Sequence, residues 1–126
     1  MKKTNQKLDR IEHETFSSWK WRDSYDGIFL CWSAGYIPDD SLVAWLGTAS
    51  AHLNKPKRRG ASPTGFIWIF DNIIPEGKVE MERNQRLRPI GRLRSVFKAA
   101  GLTVHYQSPE LTLHVDFGAT ILWALY

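Results

Sequence analysis

The chain has 126 residues, 43% hydrophobic, 13% aromatic and 24% charged, which suits one domain with a real core and excludes disordered, collagen-like and coiled-coil classes. Seventeen Lys and Arg against 13 Asp and Glu leave a net charge of +4, a balance that favours acidic partners or RNA without specifying either. The single cysteine, Cys31, has no partner for an internal disulfide and sits in an apolar run, so a buried, reduced thiol and a reducing compartment are expected. No apolar stretch approaches the ~20 residues of a membrane span, and the first 14 residues lack both a secretory apolar core and the acid-poor composition of an organellar leader. The expectation is a soluble intracellular protein of cytoplasm or nucleus, with the mitochondrion left open.

Residues 1 to 24 are polar and mixed in charge, with Leu8 and Ile11 at helical spacing ahead of Phe16, Trp19 and Trp21; they read as an N-terminal arm or short helix. Residues 25 to 126 form the folded part. Ile28 to Trp32 is a continuous apolar run between Gly27 and a Ser33-Ala34-Gly35 turn, and its lack of alternation predicts a strand buried on both faces, as in parallel sheets. Pro38-Asp39-Asp40 offers an N-cap carboxylate to a helix whose stripe of Leu42, Val43, Trp45, Leu46, Ala49 and Leu53 runs to about Asn54. Lys55 to Gly65 carries too much Pro and Gly for a regular element and reads as a basic loop, followed by a second buried strand from Phe66 to Phe70. Lys78 to Leu87 has no period and reads as a loop over the top of the sheet. Pro89 in a first turn and Gly101 at the C′ position bracket a second helix from about 89 to 100. Leu102 to Tyr106, Leu111 to Phe117 and Ala119 to Tyr126 follow as strands, with His105 and His114 expected side by side on neighbouring strands.

Parallel strands need crossover helices, so the pattern is half of a three-layer αβα sheet with a final antiparallel strand. Nothing ahead of Ile28 supplies a neighbour for the far edge of the first strand, and an uncovered apolar edge aggregates. A protein partner or a second copy is expected to cover the edge of Ile28 to Trp32.

Several short pieces recur in a recognisable order: Ser24-Tyr25-Asp26-Gly27-Ile28 leading to Cys31-Trp32, then Tyr36-Ile37-Pro38-Asp39, Pro63-Thr64-Gly65 before Phe66 to Phe70, Asp71-Asn72 with Glu76-Gly77, Ala100-Gly101-Leu102, and Ala124-Leu125-Tyr126. In this order, over residues 16 to 126, the chain resembles the C-terminal half of the protein alpha-N-terminal (N-terminal Xaa-Pro-Lys) methyltransferases, S-adenosylmethionine-dependent enzymes of the class I fold. The resemblance implies an α/β, Rossmann-like partial class I sheet with its N-terminal strands missing. It places Trp32, Tyr36, Asp71 and Asn72 in the substrate-binding set. Tyr36 stands where the family has His or Tyr, and Asn72 matches the Asn that helps hold the substrate's N-terminus.

Two positions depart from the family. Cys31 replaces the Gln that contacts the cofactor, and Asn84 falls near the Asp that helps deprotonate the amine, where an amide cannot act as a base. Tyr36 and Asn84 are therefore the catalytic candidates and Cys31 the cofactor-binding candidate. No GxGxxG or equivalent turn lies between a first strand and a helix, the element through which such folds approach a nucleotide-like cofactor. Each site residue also has a plain structural role open to it: Trp32 as core, Tyr36 as a packing residue, Asn72 and Asp71 as turn formers. His13, His52, His105 and His114 show no metal-ligand spacing, so no metal site is expected.

These features imply a methyltransferase-like domain without its S-adenosylmethionine-binding half, inactive by itself and serving as a structural or regulatory subunit of a larger assembly. The isolated chain is expected to hold no cofactor, and S-adenosylmethionine only if a partner completes the site. The alternative is an active protein N-terminal amine methyltransferase completed by another chain, or a fragment of one. A weaker alternative, an RNA-associated module, rests on Lys55, Lys57, Arg58, Arg59, Arg88 and Arg92.

Overall fold

A computed structural model describes residues 14–54, 65–77, 80–82, 85–112 and 119–126. The elements run β1 (Gly27–Cys31), a 3-10 turn (Ala34–Tyr36), α1 (Asp39–Ala51), β2 (Phe66–Asn72), the short β3 (Glu80–Glu82) and β4 (Gln85–Leu87), α2 (Ile90–Ala99), β5 (Val104–Gln107) and β6 (Thr120–Leu125). Four strands form one sheet in the order β1-β2-β6-β5, and β3 pairs with β4 separately. β1 lies parallel to β2, with Gly27 opposite Phe66 and Cys31 opposite Phe70. The last strand, β6, enters between β2 and β5 and runs antiparallel to both.

Alternation along β2 and β6 sorts the side chains. Ile67 and Ile69 are fully buried, while Phe66, Trp68, Phe70 and Asn72 between them are only half-buried. Register carries this division across the sheet, since Ile69 faces Trp123 and Trp68 faces Ala124. The first set joins Leu42, Leu46 and Ala49 of α1 and Leu93, Val96 and Phe97 of α2 in one core cluster, so both helices cover the same face. Among the described residues no helix lies on the opposite face, and the expected third layer of the αβα stack is not present there.

Local chemistry explains the boundaries. Asp39 and Asp40 occupy the first turn of α1, where carboxylates suit the helix dipole. Pro89 stands at the N-cap of α2, and Gly101, at φ +78, closes it in the left-handed conformation. Gly65 is needed for a different reason: a Cβ there would lie 2.9 Å from the Asn54 carbonyl oxygen. That close approach brings the end of α1 beside the start of β2. On the other side of the same junction, the Tyr25 amide donates to the His52 carbonyl (2.8 Å) and the Asn54 amide to the Tyr25 carbonyl (2.9 Å).

Several expectations are corrected. Among the described residues β1 is an edge strand covered on one face: Leu30 is buried, but Phe29 is 61% exposed and the Cys31 thiol is exposed, because no described element packs on their side. The helix stripe ends at Ala51 rather than Asn54, and Pro38 is its N-cap with no side-chain cap bond; the Asp39 carboxylate is drawn instead to arginines. β2 continues through Asp71 and Asn72, and the loop expected over residues 78 to 87 contains β3 and β4. Leu111 bridges Thr120, while the rest of the strand expected to Phe117, and His114, lie outside the described residues. His105 stacks on Tyr126 at 3.4 Å between ring centroids. Residues 1 to 13 also lie outside the described residues; Glu14 to Ser24 form an irregular stretch with one turn. Among the described residues no helix is long and apolar enough to cross a membrane.

The polarity of the open edge follows from two bonds. The Asp26 carbonyl accepts from Phe66 N–H, and Trp32 N–H donates to the Phe70 carbonyl, so even-numbered positions of β1 face β2. By strand alternation the backbone groups of Gly27, Phe29 and Cys31 point to the far edge. No strand among the described residues pairs there.

Candidate functional site

The C-terminal ends of the parallel strands β1 and β2 meet the turn Ala34–Tyr36, the position where open α/β sheets present ligand groups. Trp32 leaves β1 with φ 50, a left-handed conformation that a bulky side chain adopts only under constraint. Its ring lies 5.3 Å from that of Phe70, and it is 39% exposed rather than core. Tyr36 is 58% exposed at the end of the turn.

Asp71 and Asn72 are neighbours on opposite faces of β2. The Asp71 side chain is 4% exposed and accepts the Asn72 backbone N–H at 2.8 Å. Burial pushes its carboxyl up to about 6, against the opposing pull of the Asn72 amide, the Arg88 charge and the amides of Gly35 and Ala34. Its Oδ1 is thus committed to the Asn72 amide, and the buried carboxyl faces into the fold. Asn72 is half-buried, and its Oδ1 accepts from Thr120 Oγ1 at 2.8 Å.

Arg88 secures the same turn from the other side. It is 2% exposed; Nη1 donates to the Ala34 carbonyl at 2.9 Å, Nη2 donates to the Ile37 carbonyl, and Nε donates to Asp39 at 2.7 Å. Arg92 donates to the second Asp39 oxygen at 2.7 Å. Burial alone would raise the Asp39 carboxyl, but these hydrogen bonds and the two positive charges outweigh it and hold the group below the usual carboxylate range. Planar guanidinium geometry makes this clamp possible.

The sequence missed the clamp because Arg88 sits in a run of arginines that reads as a solvated basic surface. Its placement among RNA contacts is corrected: the Arg88 guanidinium is 2% exposed and turned into the fold toward Ala34, Ile37 and Asp39, out of reach of a phosphate, and Arg92 is paired with Asp39. Lys55, Lys57, Arg58, Arg59 and the catalytic candidate Asn84 lie outside the described residues. Trp32, Tyr36, Asp71 and Asn72 do fall at one end of the sheet, and Cys31 adjoins them at the end of β1, although Asp71 points inward and Tyr36 borders a groove with Pro38 and Trp45.

Carboxylates of the chain itself stand at two described helix starts: Asp39 and Asp40 lie in the first turn of α1 without a side-chain cap bond, and Glu76 accepts the Gly91 amide of α2 at 2.8 Å.

No protein-family model matches the chain. The chain is 28% identical over 102 residues to Alpha N-terminal protein methyltransferase 1 of Oryza sativa subsp. indica, covering 80% of this chain and 31% of that protein. It is 31% identical over 81 residues to N-terminal Xaa-Pro-Lys N-methyltransferase 1-B of Xenopus laevis, covering 64% of this chain and 33% of the relative. A SAM-dependent methyltransferase from Leishmania major superposes with a TM-score of 0.68 at 19% identity, covering 82% of this chain and 39% of that one. The chain therefore spans about a third of the length of the curated relatives it matches. Sequence and fold agree: this is a methyltransferase-like α/β segment with a partial Rossmann-like sheet, similar to the alpha N-terminal protein methyltransferases.

Proposed function

We propose that these 126 residues act as the acceptor-side part of a methyltransferase-like fold and serve as a structural or regulatory subunit of an assembly, without binding S-adenosylmethionine by themselves. The observation that supports this reading is at the start of α2, where the Gly91 amide is already taken by the Glu76 carboxylate. An incoming carboxylate would have to displace a charged group of the chain, at a cost of roughly 1–3 kcal/mol for each charge-assisted bond broken. In this reading the far edge of β1, where no described strand pairs, receives a strand from another polypeptide, as edge strands do in strand addition.

Titration calorimetry with S-adenosylmethionine tests the cofactor claim. The expected result is no binding tighter than roughly 100 μM, equivalent to about 5.5 kcal/mol. Tighter binding would overturn the subunit reading in favour of an active N-terminal amine methyltransferase, with Trp32, Tyr36 and Asn72 as its acceptor wall. The RNA-associated reading gains no support from Arg88 and Arg92, which are paired within the fold.

A further inference from the structure

Phe16, Trp19, Trp21, Tyr25 and Trp45 gather where the stretch Glu14 to Ser24 lies against α1 and the start of β1. Trp21 is the hub: its ring centroid is 5.1 Å from that of Trp45, 6.2 Å from Trp19 and 6.1 Å from Tyr25, while Phe16 stands 5.5 Å from Trp45. Interplanar angles of 53°, 89°, 68° and 85° for these four pairs set the rings as walls meeting at corners, not as a stack. Trp21 is itself stacked on His52 at 5.2 Å, and His52 Nδ1 donates to the Asp23 carbonyl at 2.8 Å, so the hub has a fixed place. Together with Glu14 and residues Gly27 to Leu30 of β1, the rings line a cavity of about 330 Å³.

Core packing would bury these rings, yet Trp19, Trp21, Tyr25 and Trp45 are only half-buried and Phe16 is 37% exposed. An aromatic face is electron-rich and attracts a cation set over it. Glu14 is the one charged residue among the described residues that line the cavity, while Lys20 and Arg22, which alternate with the two neighbouring indoles, do not line it. The Glu14 Oε2 accepts from Ser18 Oγ at 2.6 Å, which holds the carboxylate in place. We propose that this cavity is a binding site for an N-methylated ammonium group, enclosed by Trp19, Trp21 and Trp45, with Glu14 supplying the counter-charge.

Chemistry selects this ligand class over its neighbours. A primary ammonium is strongly hydrated and loses that shell on entering an aromatic cavity; methyl groups replace the shell by apolar contact and keep the charge. A neutral apolar group gains from the rings but nothing from Glu14. An anion meets a carboxylate and ring faces of its own sign. The volume lies at the lower end of the range for small-ligand pockets, which suits a choline-sized molecule. Trp32, Tyr36 and Asn72 do not line this cavity, so the inference goes beyond the acceptor-side reading and stands or falls without it.

Titration calorimetry of the full chain with choline, with the alcohol in which carbon replaces the choline nitrogen, and with ethanolamine is the test. Choline should bind with a dissociation constant below about 1 mM and at least ~10-fold more tightly than either of the others. Trp19→Leu should weaken choline at least ~10-fold and Glu14→Gln at least ~3-fold, each with an unchanged far-UV circular dichroism spectrum. Equal affinity for choline and the neutral alcohol overturns the proposal, because the cavity is then an apolar contact surface only. Absence of choline binding up to about 10 mM overturns it as well, and so does binding that neither substitution changes, which puts the ligand elsewhere. Should Trp19→Leu not fold, Glu14→Gln and the ratio of choline to its neutral isostere in the wild-type chain still decide. A short peptide carrying trimethyllysine then identifies the source of the group: binding tighter than choline supports a protein side chain, weaker binding a free ligand, and both uphold the ammonium site.

Discussion

One sheet carries two unlike faces. Toward α1 and α2 its aliphatic residues are fully buried, and its polar members, Asp71 and Arg88, are satisfied within the fold. Away from them its aromatic residues are half-buried or exposed, and Phe29 shows 61% of its surface. The first face holds the core of the described residues. A substitution should therefore cost much stability on the first face and little on the second.

The largest expected effect tests that division directly. Phe97 is fully buried and packs on Trp123 at 5.6 Å between ring centroids, so Phe97→Ala should cost ~3–5 kcal/mol in urea unfolding. Phe29→Ala should cost less than about 1 kcal/mol. Comparable losses would mean that the chain packs its open face internally, and the contrast between the faces would collapse.

Legibility in the sequence follows the same division. α2 was readable to within a residue because Pro89 and Gly101 act locally, one by its ring and the other by its left-handed φ. The run Ile28 to Trp32 announced an apolar strand but could not say whether both faces are covered, since composition reports what a strand prefers and not what lies beside it. Trp32, Tyr36, Asp71 and Asn72 were placed together through the resemblance, and they do gather at one sheet end. Their orientations were not legible: Asp71 and Asn72 are adjacent in sequence, yet the pleat turns one toward Ala34 and the other toward Thr120. Arg88 was invisible as a structural residue because its acceptors, the Ala34 and Ile37 carbonyls, are about fifty positions away.

Asp71 and Asp39 give the helix-covered side a pH signature. The folded-state pKa of Asp71 is raised to about 6 from 3.8, so between those values the folded chain holds a proton that the unfolded chain releases. Its contribution to stability is greatest below pH 4 and is lost as pH rises to 6, by as much as ~3 kcal/mol. Asp39 acts oppositely: its lowered pKa gives stability above the usual carboxylate range that disappears as pH falls through it. Urea midpoints for wild type and Asp71→Asn at pH 4.5, 5.5 and 6.5 separate the two. The variant should lose the decline between pH 4 and 6 and keep the fall in stronger acid; an unchanged slope would assign the decline to other groups.

The smallest effect concerns Asn72, which lies on the open face and is half-exposed, so the simple division predicts a negligible cost for its removal. Its partner changes that expectation. Thr120 is 1% exposed, and its hydroxyl donates to Asn72 Oδ1 at 2.8 Å, so Asn72→Ala leaves a buried donor without its acceptor, at a cost of about 1 kcal/mol or somewhat more. Asn72→Asp keeps an acceptor in the same place and should stay within about 0.5 kcal/mol of wild type. Thermal unfolding of both variants distinguishes a structural amide from one held only for a ligand. If Asn72→Ala is neutral, the Thr120 bond contributes nothing and the side chain is spare for an acceptor amine. If the cost appears with Ala and vanishes with Asp, Oδ1 belongs to the fold and only the amide nitrogen faces outward to donate. A donor there suits a carbonyl of an incoming peptide, not its ammonium group, and that distinction fixes which atom of an acceptor Asn72 can hold.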